Sequence, residues 1–401
     1  MSAPHARRIV VTLGSLQILA WGSSFYLLGV LAPAIARDTG WSTAAVISGI
    51  SLALLTAGLV SPRVGHLIQA HGGRPVLAIS SLLFAAGLGL LAAATHLPVY
   101  FAAWAIIGLG MASGLYDPAF ATLGRQFGHS ARQMITTVTL FGGFASTVCW
   151  PLTAWLLEHH GWRLTCATYA GLHLVIGGPA YAVLLPKRPP APAATAGAAH
   201  AAKAELPLAA QTTALMLLGV ILTIGAVTMS LLSAHLLILL QMRGIDLAAA
   251  VGLGALIGPS QVAARVVEMA FGRRLHPLWT MLAGVVLVAS GIALLATGFP
   301  FMAVALIAYG AGNGISSIVR GAVPLVLFGP GRYAILMGRL GLPILIGMAA
   351  APTAGALLLD IGGPTLAFSV LALLSTANVL IAGYLTWFCL KAEGEADRAA
   401  A

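Results

Sequence analysis

The sequence of 401 residues contains very little charge. Asp, Glu, Lys and Arg together make up 7% of it and hydrophobic residues 59%, whereas about a quarter of the residues of a soluble globular domain are charged. The mean hydropathy is correspondingly high, at +0.97. The net charge is +10, but the basic residues are scattered singly and form no stripe with interleaved aromatic residues, which argues against nucleic-acid binding. The composition predicts a protein that folds in lipid.

Reactive clusters are missing as well. Each of the three cysteines lies alone in an apolar run: Cys149, Cys166 and Cys389. None has the Cys-x-x-Cys or Cys/His spacing of a metal or redox site. The glycine pairs Gly108/Gly110 and Gly310/Gly312 lack the preceding strand and the Lys-Ser/Thr ending of a nucleotide-binding loop. Without paired carboxylates or a Ser/His/Asp set, the sequence predicts neither an enzyme nor a bound cofactor.

Long apolar runs fill the chain instead. A membrane-spanning helix needs about twenty apolar residues, and twelve runs qualify. They cover residues 9–36, 42–70, 75–95, 98–126, 132–158, 163–185, 212–241, 247–271, 278–297, 300–327, 333–359 and 364–390. No cleavage site interrupts the first run, so it is interpreted as a membrane helix rather than a signal peptide. An all-α protein with twelve transmembrane helices is expected.

Lys and Arg indicate the orientation of these helices, because they accumulate in cytoplasmic loops. With the N-terminus inside, thirteen of them fall in cytoplasmic segments. The opposite side holds only Arg37, Arg163 and Arg243. The bias predicts a multi-pass protein of the inner (cytoplasmic) membrane with both termini in the cytoplasm.

The chain also divides into two halves. The Pro- and Ala-rich segment 187–210 separates the sixth run from the seventh, and Gly108 and Gly110 recur as Gly310 and Gly312 at an offset of 202 residues. A shared offset and a central linker are typical of two parallel repeats. The expected organisation is an N-terminal six-helix bundle (1–186), a cytoplasmic linker (187–210), a C-terminal six-helix bundle (211–391) and a cytoplasmic tail (392–401).

Several motifs resemble those of a known family. The stretch Gly65-His-Leu-Ile-Gln-Ala-His-Gly-Gly73-Arg74 resembles the loop signature of the major facilitator superfamily. Three others are similar to its monocarboxylate and oxalate/formate branch: Trp21–Phe25, Asp38–Ser42 and Gly161–Arg163. The resemblance implies the major facilitator fold, a cavity between two pseudo-symmetric bundles, alternating access, frequent proton coupling, and a gating role for Gly65, Gly73 and Arg74.

Six ionisable residues lie inside apolar runs, where each needs a partner, a wet cavity or a function. They are Arg63, Asp117, Arg265, Glu268, Arg320 and Arg339. The positive excess favours an anionic solute, because guanidinium groups bind carboxylates in bidentate fashion. Arg265, Arg320 and Arg339 are therefore candidate substrate contacts, together with Gln261, one turn before Arg265. The alternative role for Arg339 is to brace neighbouring helices rather than to contact the solute. Arg63 is expected to extend its charged end to the membrane interface.

Three residues are candidates for proton coupling: Asp117, Glu268 and His235. Asp117 takes up the proton or pairs with Arg320, which is 203 residues away in the other repeat; alternatively it accepts hydrogen bonds near a kink at Pro118. Glu268 lies three residues after Arg265, on the same helix face, and the alternative for this pair is an intracellular gate. A hydrogen-bonded core histidine is the alternative for His235.

Neutral residues of the cavity-lining helices complete the candidate set. They are Trp21, Tyr26, Tyr116, Phe141, Trp150, Tyr309 and Asn313. Rings of this kind suit a flat or aromatic solute, but aromatic residues also fill membrane cores and interfaces. His173 is interpreted as a packing residue.

These features together favour a monomeric secondary active transporter of a small organic anion, such as a monocarboxylate, moved by symport with a proton. Transport of a drug, an arsenical or a flavin-like vitamin is the first alternative. A membrane sensor that does not transport, built on a carrier scaffold, is the second.

Overall fold

A computed structural model describes residues 3–186, 206–272 and 275–400, and within these ranges all regular structure is helical. The α-helices are α1 (Ala3–Gly22), α2 (Leu28–Thr39), α3 (Thr43–His71), α4 (Gly73–Ala92), α5 (Leu97–Gly114), α6 (Tyr116–Phe127), α7 (Ala131–Gly143), α8 (Ala145–Leu172), α9 (Gly178–Leu184), α10 (Leu208–Gln241), α11 (Leu247–Ala255), α12 (Ile257–Phe271), α13 (Pro277–Ala296), α14 (Met302–Phe328) and α15 (Tyr333–Ala400). A π-helix, His173–Gly177, joins α8 to α9. Most of the expected linker lies outside the described residues, as do Arg273 and Arg274.

Short interruptions divide several of the apolar runs. The first run is split into α1 and α2 by the turn at residues 23–27. The fourth is split into α5 and α6 at Leu115, whose backbone is extended (φ −82°, ψ −159°). An interrupted membrane helix leaves backbone polar groups that must be satisfied by protein or by water. Both interruptions lie near the middle of their runs and therefore mark positions of functional interest.

Two continuous helices join runs that the sequence separates. In α8 the fifth and sixth runs meet at Gly161, where φ is +74°. In α15 the eleventh and twelfth runs meet at Gly362 and Gly363, and the latter has φ +61°. Only glycine adopts positive φ without strain, so these glycines place the turns between adjacent spans.

Nine helices of the described chain are long and apolar enough to cross a membrane. Two of them, Ala131–Leu184 and Tyr333–Glu395, contain the glycine turns just described and hold two runs each. The first run, divided between α1 and α2, adds one more. The helices are therefore consistent with the expected twelve spans.

Large apolar side chains remain exposed along these helices. Val175 and Val183 are each 75% exposed, and Leu373 is 71% exposed. Such exposure is costly in water but favourable against lipid tails. These side chains are expected to face the bilayer.

The described residues form two compact units. The first contains the chain up to residue 186 together with Arg332–Ala349, and the second contains the chain from residue 206 to Gly331 and from Ala350 onward. The first part of α15 thus packs with the first unit, although the sequence places it in the C-terminal bundle. The expected bundle boundaries remain a prediction.

Matching glycine contacts within each unit display the internal repeat. A Cβ on Gly108 would lie 2.9 Å from the Cα of Ala53 in α3, and one on Gly310 would lie 2.9 Å from the carbonyl oxygen of Ile257 in α12. Two residues further along each helix, Gly110 packs against α4 and Gly312 packs against α13. The repeat glycines therefore let α5 and α14 approach equivalent pairs of helices, a common use of small residues in membranes.

Candidate functional site

Aromatic side chains gather at the interruptions of the first and fourth spans, inside the first unit. The aromatic cluster consists of Trp21, Phe25, Tyr26, Tyr116, Phe120 and Trp150. The ring centroids of Trp21 and Tyr116 are 5.0 Å apart, those of Tyr116 and Phe120 5.1 Å, and those of Tyr26 and Trp150 5.9 Å. Phe120 is fully buried and Trp150 is 48% exposed, whereas the other four rings are half-buried. Four expected site residues, Trp21, Tyr26, Tyr116 and Trp150, are thus brought together.

Gln17 positions this cluster, and the sequence analysis missed it. Its side chain is fully buried, and its Nε2 donates to the carbonyl oxygen of Gly114 at 2.7 Å. Its Oε1 accepts from Nε1 of Trp21 at 3.1 Å. One glutamine therefore ties the tryptophan ring to the end of α5, just before the interruption. The available signal was an amide in an apolar run four residues before a tryptophan, where the two share a helix face.

Phe141 has a different environment. A Cβ on Gly14 would lie 2.5 Å from Cγ of Phe141, so the phenylalanine ring fills the space that this glycine leaves between α1 and α7. Phe141 is half-buried. Its contact is a packing contact between helices, and its expected role towards a solute stays a prediction.

Asp117 begins α6, directly after the interruption of the fourth span. Its side chain is only 9% exposed, and its Oδ2 is 3.2 Å from the position that a Cβ on Gly341 would take. The first turn of a helix offers free backbone N–H groups and a positive dipole end, which favour a carboxylate. Such a place suits both the proton-coupling role and the hydrogen-bonding role expected for Asp117.

Arg265 is the best-defined charged residue of the second unit. It is 4% exposed, and its Nε donates to the carbonyl oxygen of Gly314 at 3.2 Å. Its Nη2 donates to Oγ of Ser317 at 2.9 Å and to Oε1 of Gln261 at 3.4 Å. The guanidinium is thus held against α14 by neutral oxygen atoms, and Gln261 lies beside it as expected.

The neighbouring candidates of the second unit differ in burial. Glu268 is 7% exposed, and its Oε1 is 2.5 Å from the position that a Cβ on Gly272 would take, so its carboxylate lies near the end of α12. Arg320 and Asn313 are half-buried on α14. The carbonyl oxygen of Asn313 accepts from Ser317, 3.3 Å away.

Two further candidates of this unit are in packing positions. Nε2 of His235 is 2.8 Å from the carbonyl oxygen of Pro352, which fits the core-histidine alternative. Tyr309 is 2% exposed and lies in the hydrophobic core with Leu306 and Phe368.

Two arginines of the first unit, Arg339 and Arg63, are exposed.

The expected gating loop links α3 to α4. Gly65 lies against α15, where a Cβ would be 2.5 Å from the carbonyl oxygen of Ala334. Gly73 packs against Thr122 of α6, and Arg74 is half-buried in the first turn of α4. Arg125, in the last turn of α6, donates from Nη1 to the carbonyl oxygen of Gln69 within the loop signature.

No three His, Cys, Asp or Glu side chains in the described ranges lie close enough to share a metal ion. The candidate residues therefore offer two kinds of chemistry: an aromatic surface and an interior carboxylate in the first unit, and an interior guanidinium in the second.

The chain is similar to curated proteins and to solved structures. The family model described as Major Facilitator Superfamily matches residues 13–278. "Monocarboxylate transporter 13" of Bos taurus is 29% identical over 349 residues, which cover 84% of this chain and 79% of the relative. "Monocarboxylate transporter 13" of Rattus norvegicus is 32% identical over 352 residues, covering 84% and 78%.

Two solved structures share the fold. The human organic anion transporter MFSD10 superposes with a TM-score of 0.74 at 17% identity, over 95% of this chain and 100% of that one. A proton:xylose symporter, XylE, superposes with a TM-score of 0.71 at 12% identity, over 95% of each chain. Together with the matched family model, these findings show that the chain belongs to the Major Facilitator Superfamily and is a multi-pass membrane transporter of small solutes, not an enzyme.

Proposed function

We propose that this transporter carries a small organic anion, a monocarboxylate, in symport with a proton. The observation that carries the proposal is the burial of Arg265 inside a membrane-spanning helix beside Gln261 and Ser317, since ionisable residues within the membrane commonly mark substrate pathways. Its guanidinium donates to the carbonyl oxygen of Gly314, to Ser317 and to Gln261, so its position between α12 and α14 is well defined. A carboxylate would gain charge-assisted hydrogen bonds there.

The relatives support the same chemistry. Two of them are named monocarboxylate transporters and match most of this chain. Arg320, half-buried on α14, is the second proposed anion contact. Gln261, Asn313 and the exposed Arg339 remain further candidates, as do Tyr309 and Phe141.

Asp117 is the proposed proton carrier. It is nearly buried at the start of α6, directly after the interruption of the fourth span, and carboxylates within membrane spans often serve as proton relays. Glu268 is the second candidate, and His235 the third. The protein is proposed to act as a monomer in the inner membrane, with both termini in the cytoplasm and with Gly65, Gly73 and Arg74 in the gating loop.

Uptake into proteoliposomes tests the proposal. With an inward proton gradient, labelled lactate, pyruvate or benzoate should accumulate, and without the gradient it should only equilibrate. Arg265→Gln should lower uptake by about tenfold or more, because a lost charge-assisted hydrogen bond costs roughly 1.5–3 kcal/mol. Asp117→Asn should abolish accumulation but preserve exchange of labelled for unlabelled substrate.

Arg63→Gln is the matched control, because Arg63 is an exposed arginine of another span and its loss should leave uptake near that of the unmodified protein. The anion proposal fails if none of the carboxylates moves, or if Arg265→Gln transports normally. The proton proposal fails if Asp117→Asn and Glu268→Gln both still accumulate substrate against its gradient.

A further inference from the structure

The aromatic cluster can contact the ring of a solute, which the carboxylate group of the solute does not do. Its rings contact one another in edge, tilted and stacked geometries. The centroids of Trp21 and Phe25 are 5.5 Å apart, those of Trp21 and Tyr116 5.0 Å, and those of the stacked pair Tyr116 and Phe120 5.1 Å. Four of the six rings are half-buried, and Trp150 is 48% exposed. Part of the ring surface is therefore open to a further contact.

The cluster lies at the place in the first unit where a ligand site is most expected. Trp21 precedes the interruption of the first span, and Tyr116 follows the interruption of the fourth. Interrupted helices near the middle of the membrane are where transporters bind their substrates, because irregular backbone is tolerated only beside protein or a wet cavity. Rings at both interruptions would line such a site.

The central ring is also held in place. The hydrogen bond from Trp21 to Gln17, and the bond from Gln17 to the carbonyl oxygen of Gly114, are both formed by a fully buried amide. A ring that is fixed before binding loses little conformational entropy when a ligand stacks on it. The tryptophan face is thus preorganised.

We propose that the aromatic cluster binds the ring of a flat substrate, so that the preferred solute is an aromatic carboxylate of the benzoate type. The proposal rests on the proposed function for the negative charge of the solute and adds the requirement for a π-face. An aromatic ring gains offset or edge-to-face contacts with Trp21 and Tyr116 that a saturated ring of similar size does not make.

The test compares two carboxylates of similar size, one with an aromatic ring and one with a saturated ring. Benzoate and cyclohexanecarboxylate carry the same charge at pH 7 and have similar volume, but only benzoate has a π-face. Titration calorimetry of the purified protein in detergent should show benzoate binding about two- to tenfold more tightly, the range expected for one added aromatic contact.

Variants of Tyr116 assign that preference to the cluster. Tyr116→Phe keeps the ring and should keep the preference for benzoate, whereas Tyr116→Leu removes the ring and should bring the two affinities together. Trp155→Leu is the control, because Trp155 is a 51% exposed ring that stacks on His159. It should leave both affinities unchanged.

The outcomes separate this inference from the proposed function. Equal binding of both carboxylates by the unmodified protein would overturn the aromatic preference and leave anion transport standing, and this comparison needs no variant to fold. Tighter binding of benzylammonium than of benzoate would also overturn it, in favour of a cation on the rings. If no carboxylate binds or moves, the proposed function itself fails.

Discussion

Arg163 and Arg243, two of the arginines predicted to lie on the side opposite the cytoplasm, each bind the end of a helix. Nη1 of Arg163 donates to the carbonyl oxygens of Ala92 and Ala94 at 3.1 and 2.7 Å. Nη1 of Arg243 likewise donates to the carbonyl oxygen of Leu295, at the end of α13. Partial burial lowers the pKa of Arg243, but a guanidinium stays protonated at physiological pH. Both cations thus satisfy free carbonyl groups at the negative end of a helix dipole.

Arg163 also belongs to a small group with Asp38 and Trp162. Its Nη2 is 3.3 Å from Oδ2 of Asp38, which also accepts from Nε1 of Trp162 at 2.9 Å. The side chains of Arg163 and Asp38 are 41% and 52% exposed, and exposed ion pairs contribute at most about 1 kcal/mol. The carbonyl contacts of Arg163 are therefore expected to matter more than its ion pair.

Substitution of the two charges tests that ranking. Arg163→Gln loses the carbonyl contacts as well as the ion pair and should destabilise the protein by about 1–2 kcal/mol, while Asp38→Asn should cost less than about 1 kcal/mol. The measurement is the temperature of thermal unfolding in detergent. Arg37→Gln is the control, because Arg37 is an exposed arginine that donates to the carbonyl oxygen of Pro33 in its own helix. An equal loss for Arg163→Gln and Asp38→Asn would mean that the ion pair dominates.

At the scale of helices, a close backbone approach and the hydrogen bonds of Arg265 together join α12 to α14. A Cβ on Gly314 would lie 2.7 Å from the Cα of Gln261, so the two backbones touch at this glycine. The carbonyl oxygen of the same glycine accepts from Arg265. The separation of the two helices and the position of the guanidinium are therefore set together.

Gly314→Ala should accordingly impair both properties. The added methyl group forces the helices apart and is expected to cost about 1–3 kcal/mol, as overpacking usually does, and it should weaken anion binding by displacing the acceptor of Arg265. Unfolding temperature and carboxylate affinity report the two effects. Gly252→Ala is the control, since a Cβ at Gly252 would meet nothing within 4 Å and alanine favours a helix by about 0.5–1 kcal/mol. Identical behaviour of the two variants would refute the close-contact argument.

The apolar runs predicted the helices well because length and hydropathy are local properties. The turn at residues 23–27 was not predicted, and the interruption at Leu115 was expected only as a kink at Pro118. Proline cannot bond the carbonyl oxygen of Gly114, four residues earlier, but the sequence does not reveal that the distant Gln17 donates to it instead. The same reason explains why Tyr309, predicted from its helix to face a solute, lies in the core. The sequence pattern shows that a residue lies on a helix, but it does not show which neighbouring helix or cavity the residue's side of that helix contacts.

At the scale of the whole molecule, the repeat and the family agree, while the orientation in the membrane rests on loop charges alone. Twelve spans with the N-terminus inside place His71, at the end of α3, in the cytoplasm and His96, at the start of α5, outside. They return Glu395 to the cytoplasmic side. All three positions are exposed, and the three natural cysteines are buried, so single added cysteines can report the side on which they lie.

His71→Cys, His96→Cys and Glu395→Cys should therefore differ in reaction with a membrane-impermeant maleimide applied to intact cells. Only His96→Cys should be labelled from outside, and the other two should react only after the membrane is opened, because an even number of spans returns the chain to the side where it began. The unmodified protein should remain unlabelled in both conditions. Labelling of Glu395→Cys from outside would require an odd number of spans, and labelling of His71→Cys together with Glu395→Cys would invert the whole topology.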